Sequence, residues 1–470
     1  MLVRQAFRFE LDPSDQTRSI LASHAGASRF AYNWGLALVR ARLEQRQQIR
    51  LAGFREILSD DDVERLARSV EVPWSLASLR KEWNRQKAVV APWWAENSKE
   101  AYSSGLDALA RALDSFSKAR RGMRSGAMGF PRFKKRWARR SCRFTTGAIR
   151  VGDDRHVQLP RLGRIRTKEP GTKLRELVHG GRARILSATI SEEAGRWFVS
   201  FGCEVERMDA PAALADAVVG VDLGVKHLAA LSTGELVENP TALTRYARRM
   251  AHLQRELARR QKGSKRRART QARLARSHAR VVNIRRDALH KLTSPLASTY
   301  ATVVIEDLNV AGMTKAPKPV SDGAGGHRRN GRRAKAGLNR AVLDVSPAEI
   351  RRQLTYKLAW RGGTLVVADR FFPSTKTCSS CGSVKAKLSL ATRTYRCESC
   401  GLEIDRDINA ALNLAAYGRR QFDVAGSGPE TRNERGGGHP RLRPKPPAKR
   451  EDGTARAGKT VTVSSKDEAA

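Results

Sequence analysis

Two CxxC pairs in the C-terminal part of the chain constrain its local structure more tightly than any other feature. Cys378 and Cys381 form the first pair, Cys397 and Cys400 form the second, and 15 residues separate the two. This spacing is typical of two knuckles that each offer two thiolates to one tetrahedral Zn²⁺. The sequence therefore predicts a zinc ribbon over residues 374–404. Four thiolates leave no open coordination position, so we expect this zinc to be structural.

Three acidic residues stand at the ends or starts of predicted secondary-structure elements. Asp222 and Glu306 each end an apolar run that is typical of a buried strand, and Asp407 stands at the start of an Ala- and Leu-rich helix. Taken singly, each acid also fits a structural role as a turn residue, a surface ion pair or a helix cap. Taken together, carboxylates from separate elements can converge on two Mg²⁺ ions, as metal-dependent phosphodiester hydrolysis requires. The sequence therefore predicts a two-metal nuclease site.

Asp405 lies two residues before Asp407, and two interpretations of it stay open. Aspartate is among the residues that most often cap the first turn of a helix, so Asp405 fits an N-cap. Its carboxylate equally fits a residue that orients the metal ligands without binding the metal itself. The sequence pattern alone does not separate these two roles.

The charge of the chain points to a polyanionic partner. The chain has 89 Lys and Arg against 47 Asp and Glu, a formal net charge of +42. Such a charge repels itself unless a polyanion neutralises it, which favours nucleic acid. Residues 251–291 hold 14 of these cations and only two acids, within a predicted basic helical hairpin over 245–298. We expect nucleic-acid contacts at Arg259, Arg260, Lys262, Lys265, Arg266, Arg267, Lys134 and Lys135.

Hydropathy and cysteine usage exclude two other classes of protein. No apolar run reaches the roughly 18 residues that a membrane span requires, and the first residues lack the apolar core of a signal peptide. Only Cys142 and Cys203 lie outside the two CxxC pairs, which does not suggest a disulfide framework. We therefore expect a protein of a reducing compartment without a membrane partner.

Periodicity and composition divide the chain into β-rich, helical and mixed segments. Residues 313–339 are rich in Gly, Lys and Arg, which predicts a mobile loop. The last segment is rich in Pro, Gly and charge and has no apolar periodicity, which is typical of disorder. The predicted parts are a β-rich domain (1–15 and 138–210), a helical segment (16–137), an α/β domain (216–418) and a disordered basic tail (419–470).

Several of these motifs together resemble a known family. Gly220-Val-Asp222-Leu-Gly, Val304-Ile-Glu306-Asp-Leu and Asp405-Arg-Asp407-Ile-Asn, with the two CxxC pairs, are similar to the split RuvC nuclease motifs and zinc ribbon of TnpB. TnpB, or OrfB, is the family of insertion-sequence RNA-guided nucleases and transposase accessory proteins related to the type V CRISPR effectors. Gly129-Phe-Pro-Arg-Phe-Lys-Lys135 and Ser374-Thr-Lys-Thr-Cys378 extend the resemblance, which covers about residues 5–418.

The resemblance implies a fold, an activity and partners. The fold is an RNase H-like (RuvC) α/β nuclease domain with an inserted zinc ribbon, preceded by a β-barrel wedge with a helical recognition insert. The activity is that of a transposon-encoded RNA-guided DNA endonuclease, which takes a guide RNA from the transposon end and cuts double-stranded target DNA. Asp222, Glu306 and Asp407 match the catalytic acids that bind two Mg²⁺ ions, and the four cysteines match the zinc ligands. The implied location is the bacterial cytoplasm, in association with the nucleoid.

Rival functions stay open beside this hypothesis. One is a nuclease-inactive RNA-guided DNA-binding protein, although the intact set of acids argues against it. Another is a transposase that acts directly in strand transfer, since related acids also serve that chemistry. The length and architecture favour TnpB over a small type V CRISPR effector.

Overall fold

The part of the chain described by the structure, a computed structural model, is residues 1–426 apart from 53–58, 125, 208, 324–325, 329 and 390. Within it the chain forms a four-stranded sheet, a five-stranded sheet and three smaller sheets. The predicted disordered tail falls largely outside this part. Its first residues, 419–426, continue the last helix, so the predicted boundary at residue 418 lies inside that helix.

An antiparallel sheet organises the N-terminal half of the chain. The strands of this half are β1 (Leu2–Glu10), β2 (Ser141–Phe144), β3 (Arg150–Val151), β4 (His156–Leu159), β5 (Gly163–Arg166), β6 (Ala183–Glu193) and β7 (Arg196–Glu206). The four-stranded sheet has the order β1-β7-β6-β2, and β3, β4 and β5 form a small sheet. Ala194 and Gly195 join β6 to β7 with φ of 53° and 78°, the positive values that a tight two-residue hairpin needs. The alternating apolar residues on either side of Glu192-Glu193-Ala194-Gly195 predict two paired strands, and this prediction is confirmed.

Helices with serine caps lie between β1 and β2. They are α1 (Asp15–Leu51), α2 (Asp60–Ser69), α3 (Leu76–Val90), a 3₁₀ turn (Pro92–Glu96) and α4 (Lys99–Arg120), and α5 (Thr172–His179) follows later. The hydroxyls of Ser14, Ser59, Ser75 and Ser98 each accept a hydrogen bond from the first turn of the next α-helix. The helices α1 and α4 cross very closely at Gly105, where a Cβ atom would lie 2.0 Å from the carbonyl oxygen of Ser28.

A five-stranded mixed sheet forms the centre of the C-terminal half. Its strands are β8 (Leu214–Asp222), β9 (His227–Leu231), β10 (Leu236–Glu238), β11 (Tyr300–Glu306) and β14 (Thr364–Ala368). Their order is β10-β9-β8-β11-β14. Strands β8, β9 and β10 form antiparallel neighbours, whereas β11 lies parallel to both β8 and β14. The two apolar runs that end in acids are thus adjacent parallel strands.

Both faces of this sheet are covered by helices. The remaining elements are α6 (Ala242–Arg259), α7 (Lys265–Thr299), α8 (Val310–Met313), β12 (Val320–Ser321), β13 (His327–Arg328), α9 (Arg332–Val345), α10 (Pro347–Ala359), β15 (Thr394–Arg396), β16 (Glu403–Asp405) and α11 (Arg406–Gly426). On one face Val219, Val221 and their neighbours pack against apolar residues of α7 and α10. On the other face Val304 packs against Leu414 of α11. This layering explains why the central strands are apolar on both sides.

The predictions for the segment after β11 and for the basic hairpin have different outcomes. The mobile loop predicted over 313–339 is wrong from residue 332 on, where α9 begins. This helix forms because Val342 and Val345 are buried and because the carboxylate of Asp344 accepts hydrogen bonds from Arg285 and from the backbone N–H of Leu243. The helical periodicity of residues 242–298 is interrupted at Lys262-Gly263-Ser264, which predicts two helices, and the structure confirms them as α6 and α7. No helix in the described ranges has the length and apolar character needed to cross a membrane.

Candidate active site

The register of β8 and β11 places Asp222 and Glu306 side by side. Gly220 pairs with Val304 and Val221 pairs with Ile305, so the next residue of each strand, Asp222 and Glu306, lies level with the other. Side chains alternate between faces along a strand, so both acids point to the same face as Gly220. That is the face against which α11 packs. Adjacent parallel strands lie about 4.8 Å apart, so the two carboxylates are neighbours.

Helix α11 brings the third acid to the same place. A Cβ atom at Gly220 would lie 1.9 Å from the carbonyl oxygen of Ala411, and one at Gly418 would lie 3.0 Å from Val218 Cγ1. Later residues of α11 therefore lie over earlier residues of β8, and the helix and the strand run in opposite directions. Asp407 precedes Ala411 by one helical turn, so it lies over the end of β8, where Asp222 stands.

The electrostatic environment of Asp222 indicates that the three acids lie close to one another. Burial, followed by the nearby charges of Glu306 and Asp407, raises the pKa of Asp222 to about 8. Arg406 opposes this rise, and Asp405 adds to it. The guanidinium Nη2 atom of Arg406 lies 3.0 Å from Asp407 Oδ1. The cluster thus holds more negative charge than its one close cation balances, which favours the binding of further cations.

Asp405 is the N-cap of α11. Its Oδ1 atom accepts hydrogen bonds from the backbone N–H of Asp407 at 2.8 Å and of Ile408 at 3.2 Å. These are the donors of the first helical turn that have no partner within the helix. Of the two roles that the sequence left open, the structure shows the cap, although the charge of Asp405 also acts on Asp222.

The four predicted zinc ligands form one cluster. Their sulfur atoms all lie within 4.8 Å of one another, and two pairs, Cys378 with Cys400 and Cys381 with Cys397, are 3.6 Å apart. Sulfur atoms about 2.3 Å from a tetrahedral zinc lie about 3.8 Å apart, so the geometry fits Zn²⁺. Among the described residues no other His, Cys, Asp or Glu side chains form so compact a group.

The two knuckles have the same backbone design. Gly382 and Gly401 follow the second cysteine of each pair, with φ of 78° and 72°, a conformation that favours glycine. Each glycine N–H donates to the carbonyl oxygen of the first cysteine of its pair, at 3.0 and 3.1 Å. Backbone N–H groups of Cys400 and Ser399 lower the pKa of Cys397 to about 6, which favours the thiolate that a metal requires. Sequence spacing and structure therefore agree on this site.

The chain is similar in sequence to several curated proteins over most of its length. The curated relatives include "Putative RNA-guided DNA endonuclease Rv2885c" of Mycobacterium tuberculosis (strain H37Rv), which is 36% identical over 430 residues that cover 88% of this chain and 86% of the relative. They also include "Putative RNA-guided DNA endonuclease InsQ" of Escherichia coli (strain K12), 31% identical over 88% of this chain and 92% of the relative. The chain belongs to the TnpB/OrfB family.

Models of families agree with this membership of the TnpB/OrfB family. The model described as "Probable transposase" (OrfB_IS605) matches residues 200–316, which include Asp222 and Glu306. The Cas12f1-like TNB domain model matches 348–414, and a helix-turn-helix model matches 1–48. A solved Cas12f1–sgRNA–target DNA complex has a TM-score of 0.45 at 13% identity, over 88% of this chain and 99% of that one.

The basic residues predicted to contact nucleic acid differ in their environment within this TnpB/OrfB chain. Four of the hairpin cations are exposed at the junction of α6 and α7: Arg259, Lys262, Lys265 and Arg266. Arg260 and Arg267 are half-buried and bond to backbone carbonyls of the hairpin itself. Lys135 is exposed, whereas the ammonium of Lys134 lies 4.0 Å from the Tyr32 ring centroid and burial lowers its pKa. Contact of these eight residues with nucleic acid stays a prediction.

A basic cavity that the sequence did not reveal lies between β1 and the helices α7 and α10. Its volume is about 970 Å³. Its cationic lining consists of Arg4, Lys173, Arg207, Arg285, Arg286, Arg352 and Lys357, against one acid, Glu349. Within the described residues, Arg4, Lys173 and Arg286 form no ion pair with a nitrogen–oxygen distance of 4.0 Å or less, although the charge of Arg286 acts on Glu193. The lining comes from elements far apart in the chain, so no local motif could predict it.

Lys357 is a buried residue in the lining of this cavity. Its ammonium donates hydrogen bonds to Thr293 Oγ1 at 2.6 Å and to Ser294 Oγ at 2.8 Å, and it lies 3.1 Å from His290 Nδ1. None of these partners is a carboxylate, and burial lowers the pKa of Lys357 to about 8. An anion that enters the cavity would therefore interact with the Lys357 ammonium, whose charge is not neutralised by a bonded carboxylate.

Proposed function

We propose that this chain is a transposon-encoded RNA-guided DNA endonuclease that cuts double-stranded target DNA with Asp222, Glu306 and Asp407. One observation carries the proposal: two strand-end carboxylates lie level on adjacent parallel strands, and α11 packs the third over them. The relatives named as RNA-guided DNA endonucleases support the nature of guide and target. We also propose that the guide is an RNA made from the transposon end.

The donor set of the three acids fits Mg²⁺. This ion binds through a few carboxylates and keeps other positions for water and phosphate oxygens, and the raised pKa of Asp222 indicates carboxylates that gain from a nearby divalent cation. Asp222, Glu306 and Asp407 would hold two such ions. When bound, the ions supply a water of lowered pKa and neutralise charge on the phosphate and on the leaving oxygen. The chain itself orients the acids through the register of the sheet and through the N-cap of α11.

The four cysteines fit a structural Zn²⁺. Four thiolates complete the tetrahedral coordination of Zn²⁺, so we assign no chemistry to the metal and propose that it fixes the fold of residues 374–404.

The polyanion partner is supported by charge at two places. The basic cavity has a volume of about 970 Å³, and its seven Lys and Arg side chains outnumber its single acid, Glu349. The exposed cations of the hairpin offer a second positive surface. We propose that both bind phosphates of the guide RNA or of the heteroduplex, which proteins recognise by backbone and shape rather than by base sequence.

The domain assignment is also a proposal. Three antiparallel strands followed by two strands parallel to the first support an RNase H-like (RuvC) domain over 216–418 with the zinc ribbon inserted. The antiparallel sheet built from β1 and from residues after 140 supports a wedge domain over 1–15 and 138–210. The helices from α1 to α4 support a recognition segment over 16–137.

Substitution of the acids tests the proposal. The full-length protein, purified with its RNA, is expected to cut target DNA in Mg²⁺ buffer, and Asp222→Ala or Glu306→Ala should abolish cutting while RNA and DNA binding stay near wild type. Asp216→Ala is a matched control, because Asp216 is an exposed acid on the same strand, six residues before the site. Cutting that survives in either site variant refutes the assignment. Binding without cutting in the wild type would favour a nuclease-inactive binder, and joined rather than cut products would favour strand transfer.

A further inference from the structure

Ser374 links the zinc ribbon to the candidate active site. It is almost fully buried, with 2% of its surface exposed, and its hydroxyl donates a hydrogen bond to the Oε1 atom of Glu306. The residue lies four positions before Cys378, the first zinc ligand. A hydroxyl bonded to one carboxylate oxygen leaves the second oxygen, Oε2, available to a cation. It also restricts the rotation of the Glu306 carboxylate.

Two buried asparagines of α11 fix the backbone of this segment. The side-chain amide of Asn413 donates to the carbonyl oxygens of Ser374 at 2.8 Å and of Thr377 at 2.7 Å. The amide of Asn409 donates to Thr377 at 2.7 Å and accepts from the N–H of Ser379 at 3.0 Å. Without these donors the carbonyl oxygens of Ser374 and Thr377 would lose hydrogen bonds that hold the segment in place. The segment is therefore held to the helix that carries Asp407.

We propose that Ser374 is a positioning residue for Glu306, and that the zinc ribbon sets the position of Ser374. The structural zinc site thereby influences the orientation of the Glu306 carboxylate. The link consists of the hydrogen bond from Ser374 to Glu306 and of the bonds by which Asn409 and Asn413 hold the segment that contains Ser374. The inference rests on the proposed function, because it assigns Glu306 to a divalent cation. Residues that orient a metal ligand typically change metal affinity by about 10–100-fold when they are removed.

The affinity of the acids for Mn²⁺ tests this role independently of cleavage. Electron paramagnetic resonance measures bound Mn²⁺ in the full-length protein with its RNA, without DNA. We expect Ser374→Ala to bind Mn²⁺ about 10–100-fold more weakly, with zinc content unchanged, and Ser374→Thr, which keeps the hydroxyl, to restore most of the affinity. Cleavage by Ser374→Ala should recover at high Mg²⁺. Ser277→Ala is the matched control, because Ser277 is a buried serine whose hydroxyl donates to the carbonyl oxygen of Arg273 in its own helix.

A second variant covers the case in which Ser374→Ala does not fold. Asn413→Leu keeps the size of the side chain but removes its donors, and it should also weaken Mn²⁺ binding. Wild-type Mn²⁺ affinity in a folded Ser374→Ala or Asn413→Leu protein overturns the inference. The same measurement separates this outcome from failure of the proposed function: if the wild type binds Mn²⁺ no better than Glu306→Ala does, the metal site itself is refuted.

Discussion

The close crossing of α11 over β8 makes Gly220 the position where one added carbon should do most damage to the site. A Cβ atom there would lie 1.9 Å from the Ala411 carbonyl oxygen and 2.5 Å from the Ala415 backbone nitrogen. An ordinary contact begins at 3.4 Å, so α11 must move by about 1.5 Å in Gly220→Ala. Because the obstacles are backbone atoms, no rotation of a side chain relieves them. Asp407 moves with the helix.

The size of this displacement sets two expected effects. Overpacking of this kind costs about 1–3 kcal/mol, which corresponds to roughly 2–4 °C in unfolding temperature for each kcal/mol. Misplacement of a reacting group by about 1 Å costs about 10²-fold in rate, so we expect at least that loss in DNA cleavage. Differential scanning calorimetry measures the first effect, and cleavage of a guide-matched DNA measures the second.

Two other glycines provide matched controls. Gly105→Ala meets a similar backbone obstacle at the crossing of α1 and α4, so it should destabilise the fold without a direct effect on Mn²⁺ affinity. Gly26→Ala in α1 meets no atom within 4 Å and should stabilise the protein by about 0.5–1 kcal/mol. Wild-type cleavage and Mn²⁺ affinity in Gly220→Ala would refute the placement of Asp407 by this crossing.

Three further predictions concern acid, zinc and charge. Burial raises the pKa of Asp222 from an ordinary 3.8 to about 8, so the folded state binds more protons than the unfolded state, and the stability of the metal-free protein should fall as pH rises from about 4 to 8. Asp222→Asn should therefore raise the unfolding temperature at pH 8 but not below pH 4. Equal unfolding temperatures of the two proteins at every pH would contradict the raised pKa. Cys397→Ser should release zinc and lower stability, and unchanged zinc stoichiometry by mass spectrometry would disprove the ligand set. Arg286→Gln should reduce the salt dependence of RNA binding by about 0.7–0.9 in log–log slope, in filter-binding titrations; an unchanged slope would remove this cavity residue from the RNA interface.

The sequence was most informative where a pattern has one physical solution. The spacing of the two CxxC pairs predicts a four-cysteine metal site, and in the structure all four sulfur atoms lie within 4.8 Å of one another. Apolar runs that end in an acid predicted β8 and β11, and the break at Gly263 separates α6 from α7 as expected. In each case local spacing determines local structure.

Contacts between distant segments were beyond sequence reasoning. Nothing in the spacing of Ser374 or Asn413 indicates that one bonds to Glu306 and the other holds its backbone, since partners lie 68 and 39 residues away. The basic cavity draws on β1, α5, α7 and α10 for the same reason. Helix α9 was missed because its Arg- and Lys-rich start resembles a loop, whereas burial of Val342 and Val345 stabilises it.

Programmed cleavage tests the central claim most directly. The wild-type protein and Glu306→Ala are each assembled with RNA that carries either of two guide sequences, and are offered plasmids that hold both targets beside a randomised flanking sequence. Sequencing of the cut ends should show that the wild type cuts only the target that matches its guide, and that Glu306→Ala cuts neither. Cutting that ignores the guide, or that persists in Glu306→Ala, would contradict an RNA-guided nuclease built on these acids.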